Sequence, residues 1–301
     1  MFGLLKNRSA VKGRIGLSFD RDRISIAVVM REANQLLLDR CEVLPIDPQG
    51  GVEAAAAAVR GANLPRLAVS AVLRAEDYQL ALVEAPDVPP AELRAAMRWR
   101  LKDAIDFRVE DAVIDVFDVP AQNRGTQGRM MYAVAARRAG VDRCASALVS
   151  VPAFDVVDVP ELCLRNLASG MPEAAGGIAL LYLSESTATV ILVRGTTFYF
   201  ARQMNLGANQ LDSGGIVLEL QRSLDYYERH FDQPPITRIA ISPGGARAQA
   251  LAEELNRDTG FIVTELDLNS LLRCATPVGL EAQGACLLAV GAAMREERRS
   301  L

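Results

Sequence analysis

The stretch GGIALLYLSESTATVILVRGTTFYFAR, residues 176–202, reads as three short strands in immediate succession. Apolar and β-branched residues fill 178–184, 187–193 and 196–202, with tight turns expected at Glu185-Ser186 and Arg194-Gly195. The stretch follows a breaker-rich segment, 170–177, where Pro172 and the glycines mark a domain boundary. Downstream the pattern gives a long helix, a strand at 236–242 and the turn Gly244-Gly245. A helix to about Asp258, a strand at 261–265 and a terminal helix around 283–295 complete it.

The residues before the boundary follow the same plan. Strands are expected at 14–19 and 23–30, separated by the charged turn Asp20-Arg21-Asp22, and at 35–43. An Ala-rich helix lies between Gly51 and Gly61, and a strand at 66–73 comes next. A strand at 78–85, a helix over 91–106 introduced by Pro89-Pro90, and a strand pair, 113–119 and 130–137, joined by the polar loop 120–129, come after it. A helix at 139–149, a strand near 154–159 and a helix at 161–169 close the half. Each half is therefore three strands, a helix, a strand and a helix. This is a duplication of structure rather than of visible sequence, in an α/β chain.

Length and composition agree. At roughly 100–200 residues per domain, 301 residues make two domains, 1–172 and 173–301. Half of the residues are apolar and 23% are charged, which excludes a disordered chain. A net charge of −4 and 5% aromatics give neither the charge nor the stacking surface that nucleic acid needs. One histidine, and five cysteines with no C-x-x-C spacing, leave no sequence support for a metal site. The scattered cysteines suit a reduced, cytoplasmic setting, and the apolar run 284–294 is about half a bilayer span.

Two helices carry clear periodicity. Val217, Leu220, Leu224, Tyr227 and Phe231 form one core-facing stripe, and Leu93, Met97, Leu101 and Ile105 another. Trp99 lies off its stripe. It either packs against a neighbouring subdomain or, with Arg98 and Lys102, marks a partner surface. His230 ends the long helix, where it suits a capping role. Asp111, Asp115 and Asp118 read as a solvated strand face, and 295–299 as a mixed-charge helix end. Phe2, Leu4 and Leu5, backed by Lys6, Arg8 and Lys12, provide at most a weak membrane contact.

The duplicated plan, with its late Gly-Gly turn before a helix, resembles the actin-like ATPase superfamily. Within it the chain is similar to the PilM-like pilus-assembly proteins, most of all the MshI proteins of MSHA (type IV) pilus biogenesis. The likeness rests on Met1-Phe2-Gly3-Leu4-Leu5 with Ile15-Gly16-Leu17, and on Val83-Glu84-Ala85-Pro86 through Arg98-Trp99 to Ala104-Ile105-Asp106-Phe107. It continues in Asp158-Val159-Pro160-Glu161-Leu162, Asn205-Leu206-Gly207 and Leu220-Gln221-Arg222-Ser223-Leu224-Asp225-Tyr226-Tyr227. The resemblance implies two actin-like domains, the first with an inserted subdomain at about 75–127. It also implies recruitment to the inner membrane through the cytoplasmic tail of a membrane-spanning assembly partner.

The same resemblance locates a degraded nucleotide site. Actin-like ATPases hold phosphate between two β-hairpins of the form D-x-G. Here Ser18 stands in the place of the first Asp and Asp20 in that of the Gly. Tyr182 and Ser184 replace the second pair, and Thr187 alone agrees. A carboxylate facing a phosphate at ~4 Å costs about 1–4 kcal/mol per charge pair. Each lost charge-assisted hydrogen bond costs about 1.5–3 kcal/mol. The expectation is a pseudo-ATPase with no cofactor and a vestigial adenosine-side turn at Gly244-Gly245. The alternative is an ATP-binding or ATP-hydrolysing actin-like protein of the pilus or type II secretion inner-membrane complex, binding ATP with Mg weakly, with Arg21 or Arg23 compensating.

Overall fold

Strand-forming residues with period two build most of the first half. In a computed structural model that describes residues 13–32, 35–122, 128–184, 187–205, 213–258 and 260–296, they form β1 (Gly13–Phe19), β2 (Arg23–Glu32) and β3 (Gln35–Pro45). The helix α1 (Gly51–Gly61) has the bounds its two glycines suggested, and β4 (Ala68–Val72) follows it. The insertion supplies β5 (Tyr78–Glu84), α2 (Leu93–Leu101), β6 (Ala112–Asp118) and β7 (Met130–Arg137). The helix α3 (Arg138–Ala147), β8 (Phe154–Asp158) and α4 (Pro160–Gly170) complete the half.

The second half contributes β9 (Ile178–Leu183), β10 (Thr187–Arg194), β11 (Thr197–Asn205) and α5 (Ser213–His230). It continues with β12 (Arg238–Ser242), α6 (Ala246–Asp258), β13 (Ile262–Glu265), the short α7 (Leu268–Leu271), β14 (Arg273–Cys274) and α8 (Leu280–Ala293). The N-terminal apolar residues Phe2, Leu4 and Leu5, the turn Glu185-Ser186, Leu206-Gly207 and the charges at 297–299 lie outside the described residues.

The strand orders make the duplication explicit. One sheet runs β14-β3-β2-β1-β4-β8 and the other β11-β10-β9-β12-β13. Each has an antiparallel three-strand meander followed by two parallel strands. The third sheet, β5-β7-β6, belongs to the insertion. Its central strand β7 lies beyond residue 127, so this sheet runs past the bound of about 127 expected for the inserted subdomain.

Helices α4 and α8 pack on each other. The helix α4 lies against β9 and β10, whereas α8 returns to β1, β2, β3 and β4 of the first half. The small residues of α8 permit this approach. A Cβ on Gly16 would overlap the Ala289 carbonyl oxygen, and one on Gly291 would overlap the Cys163 carbonyl. Ile15 and Leu17 point the other way, into a core with α1 and α3. The Ala/Gly-rich run at 284–294 is thus a close-packing surface.

Sequence pattern and structure differ at α2. The apolar stripe suggested a helix to residue 106, but α2 stops at Leu101. The Asp106 N–H bonds the Gln79 side chain (3.0 Å) instead of a helical carbonyl, and Ile105 joins the same core from the following turn. Trp99 is 79% exposed, which excludes packing against a neighbouring subdomain. No helix among the described residues is long and apolar enough to cross a membrane.

Candidate functional site

The strand β8 pairs only with β4, and β6 only with β7, so each is a sheet edge among the described residues. The two edges face each other across a groove of about 830 Å³ between the first sheet and the inserted subdomain. Val113, Phe117, Val157 and Leu162 give it an apolar lining. At one end Phe198, at the start of β11, meets Phe117 edge-on at 5.7 Å and Tyr132 at 5.4 Å. The Ala201 N–H donates to the Tyr132 hydroxyl (2.9 Å), and Gln122 to Tyr226 (2.9 Å). The second half therefore closes one end of a groove made by the first half. Burial pushes the Tyr132 phenol up, so it stays neutral as an acceptor.

Charge is neutralised along this groove. Asp115 pairs with Arg94, Asp118 with Arg129, and Asp155 with Arg14 through both oxygens (2.8 and 3.0 Å). On the floor, Arg295 from beyond α8 binds Asp158 at the end of β8, 2.6 Å apart. Burial raises the Asp158 carboxyl, with the Arg295 guanidinium opposing. The adjacent Glu161 is buried too and accepts a hydrogen bond from the Tyr78 hydroxyl (2.7 Å); its burial likewise raises it. What remains open is an apolar trough between unpaired strand edges, which can take an extended chain by strand addition. No cluster of His, Cys, Asp or Glu among the described residues could hold a metal ion.

The expected phosphate loops close on themselves. Ser18 lies in β1, on the face that Gly16 turns toward α8. The Asp20 carboxylate accepts from the Arg21 N–H (2.7 Å) and from Arg23 (3.1 Å), while its carbonyl accepts from Arg74 (2.8 Å). Arg21 is exposed and lies 4.0 Å from Glu76. In the second hairpin the Ser184 and Thr187 hydroxyls are 2.7 Å apart, and the Thr187 N–H donates to Ser184 Oγ (2.9 Å). Tyr182, in β9, lies between Thr189 and Ser242 in the ladder.

At the third turn the sequence reading missed a residue. The Glu265 carboxylate, at the end of β13, accepts from the Gly245 N–H (3.1 Å) and packs so closely on Gly244 that a Cβ there would overlap it. The Gly-Gly turn of an ATP site would keep such a donor for its ligand. Here the donor already has a carboxylate. Gly245 has φ +118°, a conformation reserved for glycine, so the backbone of the turn is retained.

The other expected residues are scattered. Arg98 is tied to the Val109 and Ala112 carbonyls (2.9 and 3.3 Å), Trp99 is exposed on α2 and Lys102 just beyond its end, none of them lining the groove. His230 stacks on Tyr226 (4.0 Å between centroids), its Nδ1 2.8 Å from the Tyr226 carbonyl in the last turn of α5. The groove itself was partly legible: the segment 158–162 stood out, but only the topology shows that β6 and β8 are edges.

These observations define a class. The chain has the duplicated two-domain fold of the actin-like ATPases. It is similar to a solved chain of a PilM-PilN type IV pilus biogenesis complex, with 19% identity, 94% of this chain and 98% of that one covered, and a TM-score of 0.70. A Bacteroides thetaiotaomicron protein with an actin-like ATPase fold matches at 8% identity, 95% and 99% coverage and TM-score 0.52. The cytoplasmic domain of EpsL, an inner-membrane component of the Vibrio cholerae type II secretion system, matches at 15% identity, 95% and 97% coverage and TM-score 0.50. No protein-family model and no curated protein matches the chain.

Proposed function

We propose that this chain is a non-catalytic, PilM-like scaffold of type IV pilus biogenesis, of the MSHA-serving MshI kind. Its groove between β6 and β8 takes the cytoplasmic tail of an inner-membrane assembly partner. The observation that carries the reading is the pair of open strand edges facing one apolar trough. Main-chain hydrogen bonds to an edge would provide affinity, and the apolar pockets would select alternate side chains of the tail. The whole-length likeness to a chain of the PilM-PilN complex supports this choice of partner. Recruitment through that tail would hold the protein at the cytoplasmic face of the inner membrane.

The pseudo-ATPase part rests on chemistry within the turns. The Asp20 carboxylate and the Glu265 carboxylate both occupy donors that a nucleotide would need. The test is fluorescence anisotropy with a labelled peptide of the assembly partner's cytoplasmic tail. Val157→Asp puts a charge into the apolar lining and should weaken binding at least tenfold, about 1.4 kcal/mol. Unchanged affinity in a folded Val157→Asp protein overturns the assignment of the groove.

A further inference from the structure

Three of the five cysteines border one core cluster. Cys286 of α8 is wholly buried in it, and Cys41 of β3 and Cys274 of β14 are half-buried at its margin. The Cys286 thiol lies 3.4 Å from the Glu42 carbonyl, which sets its sulfur beside the residue that follows Cys41. The Cys286 and Cys41 thiols adjoin across this strand–helix interface. The Cys274 sulfur turns instead to the Leu268 and Leu272 carbonyls (3.7 and 3.5 Å).

The five thiols are also unlike in character. Burial raises Cys144 to about 11 and raises Cys163 and Cys274. Cys41 is held below the ordinary thiol range, chiefly by the hydrogen bond from Cys286, while Cys286 is raised by the same contact and by burial. The thiolate is the reactive form of cysteine. Cys41 is therefore the member of the pair that a small oxidant meets first, with a second thiol already beside it.

We propose that Cys41 and Cys286 form an oxidation site, at which a peroxide-class oxidant closes a disulfide that fastens α8 to β3. The Cys41 thiolate attacks one peroxide oxygen and the O–O bond breaks, leaving a sulfenic acid at Cys41; the departing hydroxide takes a proton and becomes water. The Cys286 sulfur, losing its proton, then attacks the Cys41 sulfur, and the S–O bond breaks to release a second water. Two thiols lose two electrons and the peroxide gains two.

The bond would join a strand of the first sheet to the helix that crosses from the second half. Gly284, near the start of α8, packs on Pro243 of the second half, whereas Ala289 and Ala293 lie over Gly16 of the first. The inference is independent of the partner-binding reading.

The experiment treats the reduced full chain with hydrogen peroxide, blocks remaining thiols, and digests without reductant using trypsin and a Glu-specific protease. Cleavage after Glu281 separates Cys274 from Cys286. Mass spectrometry should find the Cys41 peptide linked to the Cys286 peptide, and the thiol titre in denaturant should fall by two from five. Cys274→Ser should leave the linkage intact and Cys41→Ser should abolish it. A Cys41–Cys274 linkage, Cys41 over-oxidised with Cys286 still free, or an unchanged thiol titre each overturns the proposal.

Discussion

Arg295 Nη1 lies 2.6 Å from Asp158 Oδ2, and the pair joins the residue just beyond α8 to the end of edge strand β8. The Asp158 side chain is 2% exposed and that of Arg295 13%, so this contact between the two halves is largely dry. It sits on the floor of the groove and sets how β8 meets the crossing helix.

Removing one partner of such a pair leaves an uncompensated charge. Arg295→Met should destabilise the protein by about 3–5 kcal/mol in urea unfolding at neutral pH. The sign of the pH dependence follows from Asp158. Its folded pKa is already raised by burial, and losing Arg295 raises it further. The folded state then binds more protons than the unfolded one above the ordinary carboxylate range, so stability falls as pH rises there. The deficit of Arg295→Met should therefore shrink as pH is lowered toward 4, and Asp158→Leu added to Arg295→Met should recover much of it. A deficit constant with pH would refute the assignment.

The Gly16–α8 contact gives a second prediction. A Cβ at Gly16 meets the backbone of α8 at Ala289 and Ala293, which no side-chain rotation relieves. Gly16→Ala should cost more than the roughly 1–3 kcal/mol of ordinary overpacking. At Gly61, the last residue of α1, a Cβ meets nothing within 4 Å. Gly61→Ala should be neutral or stabilising by about 0.5–1 kcal/mol. Chemical denaturation of both variants checks the contrast.

Most of the fold was legible because strand periodicity and glycine punctuation are local. The bounds of α1 follow from Gly51 and Gly61, and the two meanders from alternating residues around Asp20-Arg21-Asp22 and Arg194-Gly195. What escaped was set by distant partners. Nothing near residues 284–294 says that this helix belongs against β1, and nothing near Glu265 says that its carboxylate reaches Gly245. Likewise Arg295 looked like a helix-end charge, because its partner is 137 residues away. The groove was legible only in part for the same reason. An edge strand is recognised by what does not pair with it.

Trp99 separates two ways of engaging a partner. It is exposed on α2, five residues beyond Arg94, which does line the groove. A tail confined to the groove would not reach it, whereas a tail leaving over α2 would. Trp99→Ala should leave thermal stability unchanged, since the ring makes no core contact. A tenfold or greater loss of tail affinity would extend the binding surface over α2 to Lys102; unchanged affinity would confine it to the trough.

The last prediction concerns nucleotide. In isothermal titration with Mg-ATP, the protein should show no binding tighter than about 100 µM, near −5.5 kcal/mol. The carboxylates of Asp20 and Glu265 stand at two of the three turns where an actin-like site would present donors. Glu265→Ala separates the two obstacles. It frees the Gly245 N–H and opens the space over Gly244, but leaves Asp20, Tyr182 and Ser184 in place. If the phosphate hairpins are the decisive defect, Glu265→Ala should still fail to bind Mg-ATP. If Glu265 alone blocks the cleft, binding should appear in that variant at micromolar concentration, and the protein would then be an occluded nucleotide binder. Saturation of the unmodified chain below 100 µM would overturn the pseudo-ATPase reading outright, because the self-closed turns of Asp20 and Ser184 would have to open for the ligand.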